Sequence, residues 1–283
     1  MTIKQILNEQ IENLKESSIE DGILIAKILL SFLLKTDKIY LVINQDSEIN
    51  DEVCYNFRKL VDEIIQGKPL QYIIRNQEFM GLNFYVDENV LIPQPDTEIL
   101  VQEVINICNK SGKDRIKILD LCTGSGAIAI SIYKNINIKN KEVYGSDISE
   151  KALEVAKMNN TNNDTTVTFI KSDLFNNISE KNFDIIVSNP PYIETEKIKT
   201  LSKQVKSEPI LALDGGEDGL NFYRDIIKET PNYLKKGGFL FLEIGYNQKE
   251  SVTKLLYDNG LYKNIEVFKD ISLNDRCIIS VLQ

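Results

Sequence analysis

From about residue 115 onward, short β-rich segments alternate with helical segments, and this alternation limits the possible folds more than any other feature of the chain. Five predicted strands, with helical stretches between most of them, lie at 116–122, 142–147, 166–171, 184–188 and 239–245. Strands linked through helices pair in parallel, so the pattern predicts a parallel sheet with helices on both faces. Two more predicted strands follow a short turn apart, at 265–270 and 276–282. That turn is too short for a parallel crossover, so we expect the last strand to be antiparallel.

The N-terminal part of the chain has a different pattern, because its apolar residues recur at helical spacing. The longest apolar run, at 23–34, is shorter than the ~20 residues that a membrane span needs, so it is expected to form a buried helix. A second apolar face begins after Asn50. We therefore predict a helical domain, a hairpin linker and an α/β domain, over residues 1–75, 76–95 and 96–283.

Composition excludes several kinds of active site. The chain has no histidine, which removes serine–histidine and cysteine–histidine triads, histidine-based zinc sites and histidine general bases. Its four cysteines are scattered without a C-x-x-C spacing, at Cys54, Cys108, Cys122 and Cys277. We therefore predict no metal site and no disulfide framework. The N-terminus also lacks the basic and apolar regions of a signal peptide, so the expected location is the cytoplasm.

The charge balance bears on the class of substrate. The formal net charge is −9, and residues 1–95 hold 9 Lys and Arg against 15 Asp and Glu. Proteins that grip nucleic acid phosphates usually present a basic face. The acidic balance therefore favours a protein or a small molecule as substrate.

The end of the first α/β strand has the sequence of a nucleotide-binding turn. ILDLCTGSGAIAI at 118–130 reads as a strand, a glycine-bearing turn and the start of a helix. Gly124 and Gly126 allow the backbone to approach a ligand closely. Asp147 ends the next strand, where a carboxylate can accept hydrogen bonds from ribose hydroxyls. These residues predict a site for a nucleoside-containing cofactor at the carboxyl ends of the strands.

Two classes of cofactor fit this turn. Gly124-x-Gly126-x-x-Ala129 satisfies the dinucleotide-binding fingerprint, but adenosyl cofactors need the same close backbone approach. Asp120, just inside the end of the first strand, can lie near a methionyl ammonium group. Asp173 follows the third strand, where an acid can meet the adenine amino group. The acids at three successive strand ends favour the adenosyl cofactor.

The fourth strand ends in an unusual way, because DIIVS at 184–188 is followed by Asn189-Pro190-Pro191-Tyr192. Two prolines remove two backbone donors and end a strand, so the simplest interpretation is a stop signal before a surface loop. The alternative is a binding site, since a carboxamide, two rigid residues and an aromatic ring stand together.

Taken in order, four segments resemble the S-adenosylmethionine-dependent methyltransferases: D-x-C-T-G-S-G, S-D-I, S-D-L-F and N-P-P-Y, at 120–126, 146–148, 172–175 and 189–192. Four others are similar to the release factor glutamine methyltransferases, the HemK/PrmC family, at 67–73, 78–81, 91–98 and 208–220. The resemblance extends over nearly all of the chain from about residue 67 to 280. It implies a Rossmann-like seven-stranded methyltransferase sheet over 96–283, joined by a β-hairpin to a small helical bundle that recognises the substrate.

The resemblance also implies roles for individual residues. The cofactor, S-adenosylmethionine, would be bound by Asp120, Cys122, Thr123, Gly124, Ser125, Gly126, Asp147, Asp173, Leu174 and Asn189. The target glutamine would be bound by Asn189, Pro190, Pro191 and Tyr192, of which Asn189, Pro190 and Tyr192 are expected to be catalytic. The partner would be a class I peptide chain release factor with its Gly-Gly-Gln loop, and a monomer is expected.

Two positions depart from the family pattern. The family usually has glycine where this chain has Cys122, and arginine where it has Gln94. The first change requires the cofactor turn to accommodate a small side chain. The second removes any charged contact that the arginine makes.

Three other functions remain possible on the sequence. The strongest is a nucleic-acid N-methyltransferase that acts on an exocyclic base nitrogen, which the acidic N-terminal part argues against. A nicotinamide-dependent oxidoreductase would explain the glycine turn and Asp147 but not the segments at 172–175 and 189–192. A non-catalytic cofactor-binding protein would not need Asn189-Pro190-Pro191-Tyr192.

Overall fold

The computed structural model describes all residues from 1 to 283, and the chain forms two compact units. The first unit contains Met1–Arg75 together with Ser202–Ser207. The second contains Asn76–Leu201 and Glu208–Gln283. The association of 202–207 with the helical unit was not expected from the sequence, because these residues lie far along the chain from residue 75.

The first unit is a bundle of five helices, α1 Ile3–Glu16, α2 Gly22–Leu34, α3 Lys38–Ile43, α4 Asp51–Ile65 and α5 Leu70–Ile74. The Asn50 side chain caps α4 by accepting a hydrogen bond from the Val53 amide at 2.8 Å. The helix predicted at 23–34 forms as α2, but it is only partly buried, because Ile23 and Phe32 are exposed. Neither α2 nor any other helix reaches the length and apolarity that a membrane span requires.

The second unit begins with a β-hairpin and continues as an α/β sheet. Its strands are β1 Gln77–Phe79, β2 Leu82–Phe84, β3 Arg115–Leu121, β4 Asn140–Asp147, β5 Thr168–Lys171, β6 Phe183–Ser188, β7 Leu234–Glu243, β8 Tyr262–Lys269 and β9 Asp275–Leu282. Its helices are α6 Glu98–Lys110, α7 Ala127–Asn135, α8 Glu150–Asn162, α9 Thr195–Ile198, α10 Asn221–Glu229 and α11 Lys249–Asn259.

The sheet has seven strands in the order β5-β4-β3-β6-β7-β9-β8. Strands β3 to β7 are mutually parallel, and β9 pairs antiparallel with both β7 and β8. This confirms the predicted Rossmann-like sheet with an antiparallel last strand. The chain runs outward from β3 through β4 to β5, and then returns to β6 on the other side of β3. Ligands in such sheets bind at this switch point, beyond the carboxyl ends of the strands.

Two hydrophobic cores cover the two faces of the sheet. Helices α6 and α7 pack on one face, with side chains that include Val101, Val104 and Ile130. Helices α10 and α11 pack on the other face, where Tyr223 and Leu256 are fully buried. Because the central strands are covered on both sides, they hold their carboxyl ends in a fixed arrangement.

The segment before the sheet differs from its predicted form. The hairpin is confined to β1 and β2, joined by Met80 and Gly81, which both have positive φ as a two-residue hairpin turn requires. Residues 85–92 form no strand. After this segment, the Asp96 carboxylate lies 3.1 Å from the Arg276 guanidinium.

Candidate active site

A cavity opens at the switch point of the sheet, and its empty volume including the mouth is about 840 Å³. The ends of β3, β4, β5 and β6 supply one wall, and the segments 89–91 and 209–212 supply part of the other. Two carboxylates, Asp147 and Asp173, line it, and no lysine or arginine does. The cavity therefore favours a neutral or positively charged ligand.

The glycine turn after β3 gives its two glycines different tasks. Gly124 has a φ of +53°, and a Cβ placed on it would meet no protein atom within 4 Å, so the space in front of this residue is open to a ligand. Gly126 has a φ of +80°, and a Cβ there would lie 3.0 Å from Ile130 and 3.2 Å from Ala156. Gly124 thus leaves room for a ligand. Gly126 instead lets the start of α7 pack closely against α8. Thr123 and Ser125 are buried and do not line the cavity.

Asp147 holds the turn from the neighbouring strand. One of its carboxylate oxygens accepts a hydrogen bond from the Gly124 amide at 2.9 Å, and the other accepts from the Ser149 amide at 2.9 Å. Burial raises the pKa of Asp147 above its usual range. Each oxygen keeps acceptor capacity toward the cavity. Asp173 and Leu174 line the same cavity after β5, and their contact with adenine stays a prediction.

Asp120 does not line the cavity, although the sequence placed it near a methionyl ammonium group. It is fully buried beneath the turn, where one carboxylate oxygen accepts from the Thr123 hydroxyl at 2.6 Å and the Ala129 amide at 3.2 Å. Burial raises its pKa to about 7, and its other oxygen has no partner. The carboxylate is thus bonded to residues of the turn and the start of α7, and it does not line the cavity. Asp120 stabilises the turn in this structure through these hydrogen bonds.

Cys122 occupies the position where related sequences usually have glycine. Its backbone has a φ of +61°, in the left-handed region, and its side chain lines the cavity. Burial raises the pKa of the thiol, and the nearby Asp147 carboxylate adds to that rise. The thiol therefore stays protonated and acts as a small apolar group.

The segment after β6 lies partly on the cavity and partly behind it. Asn189 and Pro191 line the cavity, whereas Pro190 and Tyr192 do not, so their contacts with a substrate glutamine stay a prediction. The Tyr192 hydroxyl lies 3.4 Å from Glu243 Oε1, and the Tyr192 carbonyl accepts from Gln248 Nε2 at 2.9 Å. The segment is thus anchored on its inner side, and the interpretation as a simple stop before a surface loop is not supported.

Close approach to two glycines also holds this segment. A Cβ on Gly215 would lie 2.7 Å from the Tyr192 Cα, and a Cβ on Gly219 would lie 2.4 Å from the Tyr192 carbonyl oxygen. Only glycine fits at these two positions without a backbone shift. The glycines of the D-G-G-E-D-G-L segment therefore allow the loop to pack against the residues after β6.

Sequence reasoning missed a group of buried polar side chains behind Asn189. Asn189 Nδ2 donates to Thr97 Oγ1 at 3.3 Å, and the buried Glu243 carboxyl lies near the Thr97 side chain. Burial raises the pKa of Glu243 to about 7. Arg276 lies close to Glu243 and pairs with Asp270 at 3.1 Å. In the sequence, the feature that could have indicated this group is Glu243, a charged residue at the end of the strongly apolar strand FLFLEIG.

A further buried carboxylate joins two segments of the same cavity wall. Glu208 Oε2 accepts a hydrogen bond from the Ile92 amide at 2.9 Å, next to the lining segments 89–91 and 209–212. Burial raises the pKa of Glu208 to about 7. The conformation of this wall therefore depends on Glu208, a residue for which no role was predicted. Gln94 lies outside the cavity and donates to the Ile92 carbonyl at 3.0 Å.

Comparison with known proteins gives consistent matches over both units. Residues 95–216 match the family described as methyltransferase small domain, and residues 5–74 match the PrmC N-terminal domain. A protein of Thermodesulfovibrio yellowstonii named release factor glutamine methyltransferase is 40% identical over 279 residues, which cover 98% of this chain and 95% of that protein. A protein of the same name from Clostridium botulinum is 42% identical, with 98% of each chain covered.

A solved structure agrees on the fold. The crystal structure of a methyltransferase from Pyrococcus furiosus aligns with a TM-score of 0.55 at 18% identity, over 80% of this chain and 97% of that one. At this identity the likeness establishes the fold alone. The two relatives at 40% and 42% identity, matched over nearly their full lengths, establish more. The chain belongs to the family of release factor glutamine methyltransferases.

Proposed function

We propose that the protein transfers a methyl group from S-adenosylmethionine to the side-chain amide nitrogen of the glutamine in the Gly-Gly-Gln motif of class I release factors. One observation carries this proposal: the Asn189 carboxamide lines the same cavity as the glycine turn, in a chain about 40% identical over its length to release factor glutamine methyltransferases. A methyl donor and an amide acceptor would meet in that cavity.

The cavity suits S-adenosylmethionine, whose sulfonium and ammonium groups are positively charged. Asp147 and Asp173 place negative charge on its walls, and the open space at Gly124 admits a ligand against the backbone. Cys122 and Leu174 supply apolar contacts. The cofactor, when bound, supplies an electrophilic methyl group. A dinucleotide fits less well, because no basic side chain lines the cavity to accept its diphosphate.

The protein's own task is to position a weak nucleophile, since the lone pair of an amide nitrogen is delocalised into the carbonyl. We assign two acceptors to this task, the Asn189 side-chain oxygen and the Pro190 backbone carbonyl, one for each N–H of the substrate amide. Proline locks the φ of Pro190 near −65°, and the following Pro191 restricts its ψ, so the direction of the Pro190 carbonyl is limited. Two fixed acceptors hold the nitrogen face toward the methyl donor, and positioning of this kind supplies on the order of 7–11 kcal/mol.

The same acceptors account for catalysis without histidine. Positive charge develops on the amide nitrogen as the methyl group arrives, and aimed oxygen atoms stabilise that charge without reorganising. The methylated nitrogen then passes its proton to water, with S-adenosylhomocysteine as the other product, so no strong base is required. The inner anchors of Tyr192, at Glu243 and Gln248, keep the segment from moving during this step.

We propose that the helical unit recognises the release factor beyond its glutamine loop, because one side chain offers little area for recognition. The exposed apolar side chains on α3 support this assignment: Ile39, Val42 and Ile43 are 67%, 63% and 75% exposed. An exposed apolar patch of this kind is typical of a protein-binding surface. We expect the protein to act as a cytoplasmic monomer that forms no stable complex with nucleic acid.

The test is methyl transfer from labelled S-adenosylmethionine to a class I release factor, its Gly-Gly-Gln→Gly-Gly-Ala variant, DNA and RNA in parallel. We expect label on the normal factor only. Label on DNA or RNA would make the protein a nucleic-acid methyltransferase instead. Equal label on both factors would place the methyl group on a residue other than the motif glutamine.

A further inference from the structure

Asn159, on α8, bonds two separate parts of the chain that lie on the cofactor side of the cavity. Its Oδ1 accepts a hydrogen bond from the Tyr85 amide at 2.7 Å. Its Nδ2 donates to the Tyr85 carbonyl and to the Ser125 carbonyl, both at 2.9 Å. The side chain is fully buried, so water does not compete for these bonds. One carboxamide therefore joins the segment that leads to the cavity wall and the glycine turn.

The three partners leave the Asn159 carboxamide a single orientation. A backbone N–H only donates and a backbone carbonyl only accepts, so Oδ1 must face the Tyr85 amide and Nδ2 must face the two carbonyls. Tyr85 thus exchanges both of its backbone bonds with one side chain, as it would with a residue of a neighbouring strand. This explains how Tyr85 is held although residues 85–92 form no strand.

The glycine turn needs such a partner because its backbone is intrinsically free. The Ser125 carbonyl belongs to the peptide bond between Ser125 and Gly126, and the glycines on either side of Ser125 have φ of +53° and +80°. Glycine has little conformational preference, so hydrogen bonds must set the direction of this peptide bond. Its N–H donates to the Thr123 carbonyl at 2.8 Å, and its carbonyl accepts from Asn159.

One face of α8 connects these bonds to the cavity. Ala152, Ala156 and Asn159 follow one another at spacings of four and three residues, which places them on the same side of the helix. Ala152 lines the cavity, and Ala156 packs against the glycine turn. Four residues beyond Tyr85 the chain reaches 89–91, which line the opposite wall. Asn159 therefore joins the turn on one wall to the segment that forms the other.

We propose that Asn159 is a positioning residue for the cofactor, because it fixes the glycine turn and the wall at 89–91 relative to each other. This inference rests on the proposed function, since it takes S-adenosylmethionine as the ligand of the cavity. A ligand that fills the cavity contacts both walls, so its affinity depends on their separation. Asn159 makes no hydrogen bond to Asn189, the assigned acceptor for the substrate amide. Loss of Asn159 should therefore weaken cofactor binding and spare the transfer step.

Two substitutions remove different parts of the arrangement. Asn159→Ala loses all three hydrogen bonds. Asn159→Asp keeps the shape and the acceptor for the Tyr85 amide, but even when protonated it donates only one of the two bonds to the carbonyls. We expect both to raise the cofactor dissociation constant, measured by calorimetry, and Asn159→Ala to raise it about 10-fold, as is typical when an outer partner of a binding site is lost. The turnover number at saturating cofactor should stay within a few-fold of wild type.

Asn163, directly after α8, provides a matched control. Its Nδ2 donates to the Asn83 carbonyl at 3.0 Å and to the Asn159 carbonyl at 3.1 Å, so it bonds the same part of the chain but not the glycine turn. Asn163→Ala should lose stability to a similar degree and keep the cofactor dissociation constant within about threefold of wild type. Equal weakening of binding in Asn163→Ala and Asn159→Ala would refute a specific role for Asn159.

Hydrogen exchange provides a readout that needs neither cofactor nor substrate. In wild type and Asn163→Ala, we expect the Tyr85 amide to exchange slowly with solvent deuterium, because Asn159 accepts its hydrogen bond. In Asn159→Ala the same amide should exchange rapidly, while the amides within β3 stay protected. Rapid exchange of the Tyr85 amide in wild type would overturn the inference without any variant.

The binding measurements separate this inference from the proposed function. If wild type binds no S-adenosylmethionine, the proposed function fails and the inference fails with it. If wild type binds the cofactor and methylates the Gly-Gly-Gln factor, and both Asn159 variants bind within twofold of wild type, the function stands and the positioning role alone is refuted.

Discussion

The two halves of the candidate site are built from different parts of the chain. On the cofactor side, the wall consists largely of backbone: Gly124 leaves open space, and its amide donates to Asp147. On the acceptor side, the arrangement consists of side chains, with Asn189 bound to Thr97 and Tyr192 bound to Glu243. Each half covers a buried carboxylate with one unpartnered oxygen, Asp120 under the turn and Glu243 behind Asn189.

This difference explains what each half can tolerate. A backbone wall depends on φ angles that glycine adopts freely, so it is sensitive to added side chains. A side-chain arrangement depends on the donors and acceptors of several residues, so a change of one atom can reverse it. Substitutions in the cofactor half should therefore weaken cofactor binding. Substitutions in the acceptor half should lower the turnover number.

The largest effect is expected from Gly124→Val. The β-branched side chain would fill the open space in front of the turn and would adopt a positive φ, which is strained for such a residue. We expect the cofactor dissociation constant, measured by calorimetry, to rise on the order of 100-fold, which corresponds to about 2.7 kcal/mol.

Gly112→Val is the matched control for this change. Gly112 also has a positive φ, +64°, and open space around its Cβ, but it lies outside the cavity. It should lose stability to a similar degree and bind the cofactor normally. Equal loss of binding in both variants would mean that backbone strain, and not occupation of the cavity, weakens the cofactor site.

Buried carboxyls should make stability depend on pH. The pKa values of Asp120, Glu208 and Glu243 are raised to about 7 in the folded protein by burial, above those of the unfolded chain. Their stabilising contribution is complete below pH 4 and is lost as the pH rises through 7. Wild type should therefore unfold at lower urea concentration at pH 8 than at pH 5.

Glu208→Gln isolates one of these groups, because the amide oxygen can still accept from the Ile92 amide. Relative to wild type, the variant should gain up to about 3 kcal/mol in free energy of unfolding between pH 5 and pH 8. Glu217→Gln, an exposed change in the same loop, serves as the control. Parallel pH profiles for wild type and Glu208→Gln would contradict a buried, ionising Glu208.

A change in the helical unit tests whether the acceptor half alone selects the substrate. Val42→Glu with Ile43→Glu adds charge to the exposed apolar face of α3, far along the chain from the cavity residues. We expect the KM for an intact release factor to rise about 10-fold, which is about 1.4 kcal/mol, with turnover and cofactor binding unchanged. An unchanged KM would confine recognition to the glutamine loop.

The smallest effect is expected from Cys122→Gly. Cys122 has a φ of +61°, a conformation that costs an L-residue about 1–2 kcal/mol, and glycine removes that cost while adding flexibility to the unfolded chain. We expect a net gain of about 0.5–1 kcal/mol in the free energy of unfolding and little change in the cofactor dissociation constant. A marked loss of cofactor binding would show that the thiol makes a contact that glycine cannot replace.

The same contrast, between a wall of backbone and an arrangement of side chains, explains how much of the site could be predicted from the sequence. The glycine turn, Asp147 and Asp173 lie at strand ends in short consecutive motifs, so the fold and the cofactor wall could be anticipated from local pattern. The contact between Thr97 and Asn189 joins residues 92 positions apart, and that between Asp96 and Arg276 joins residues 180 apart. No local pattern reports such pairs. Asp120 shows the same limit, because only the folded turn reveals that its carboxylate bonds Thr123 and does not line the cavity. Its contact with the methionyl ammonium group stays a prediction.

The most direct test of the account is single-turnover methyl transfer by Asn189→Ala to an intact Gly-Gly-Gln release factor at saturating S-adenosylmethionine. The account predicts a folded variant whose rate falls roughly 100-fold or more, because an aimed acceptor is lost. The cofactor dissociation constant, measured on the same sample, should change only a few-fold. A near-normal rate in Asn189→Ala would contradict the claim that its carboxamide positions the substrate amide. A collapse of cofactor binding would instead assign Asn189 to the cofactor half.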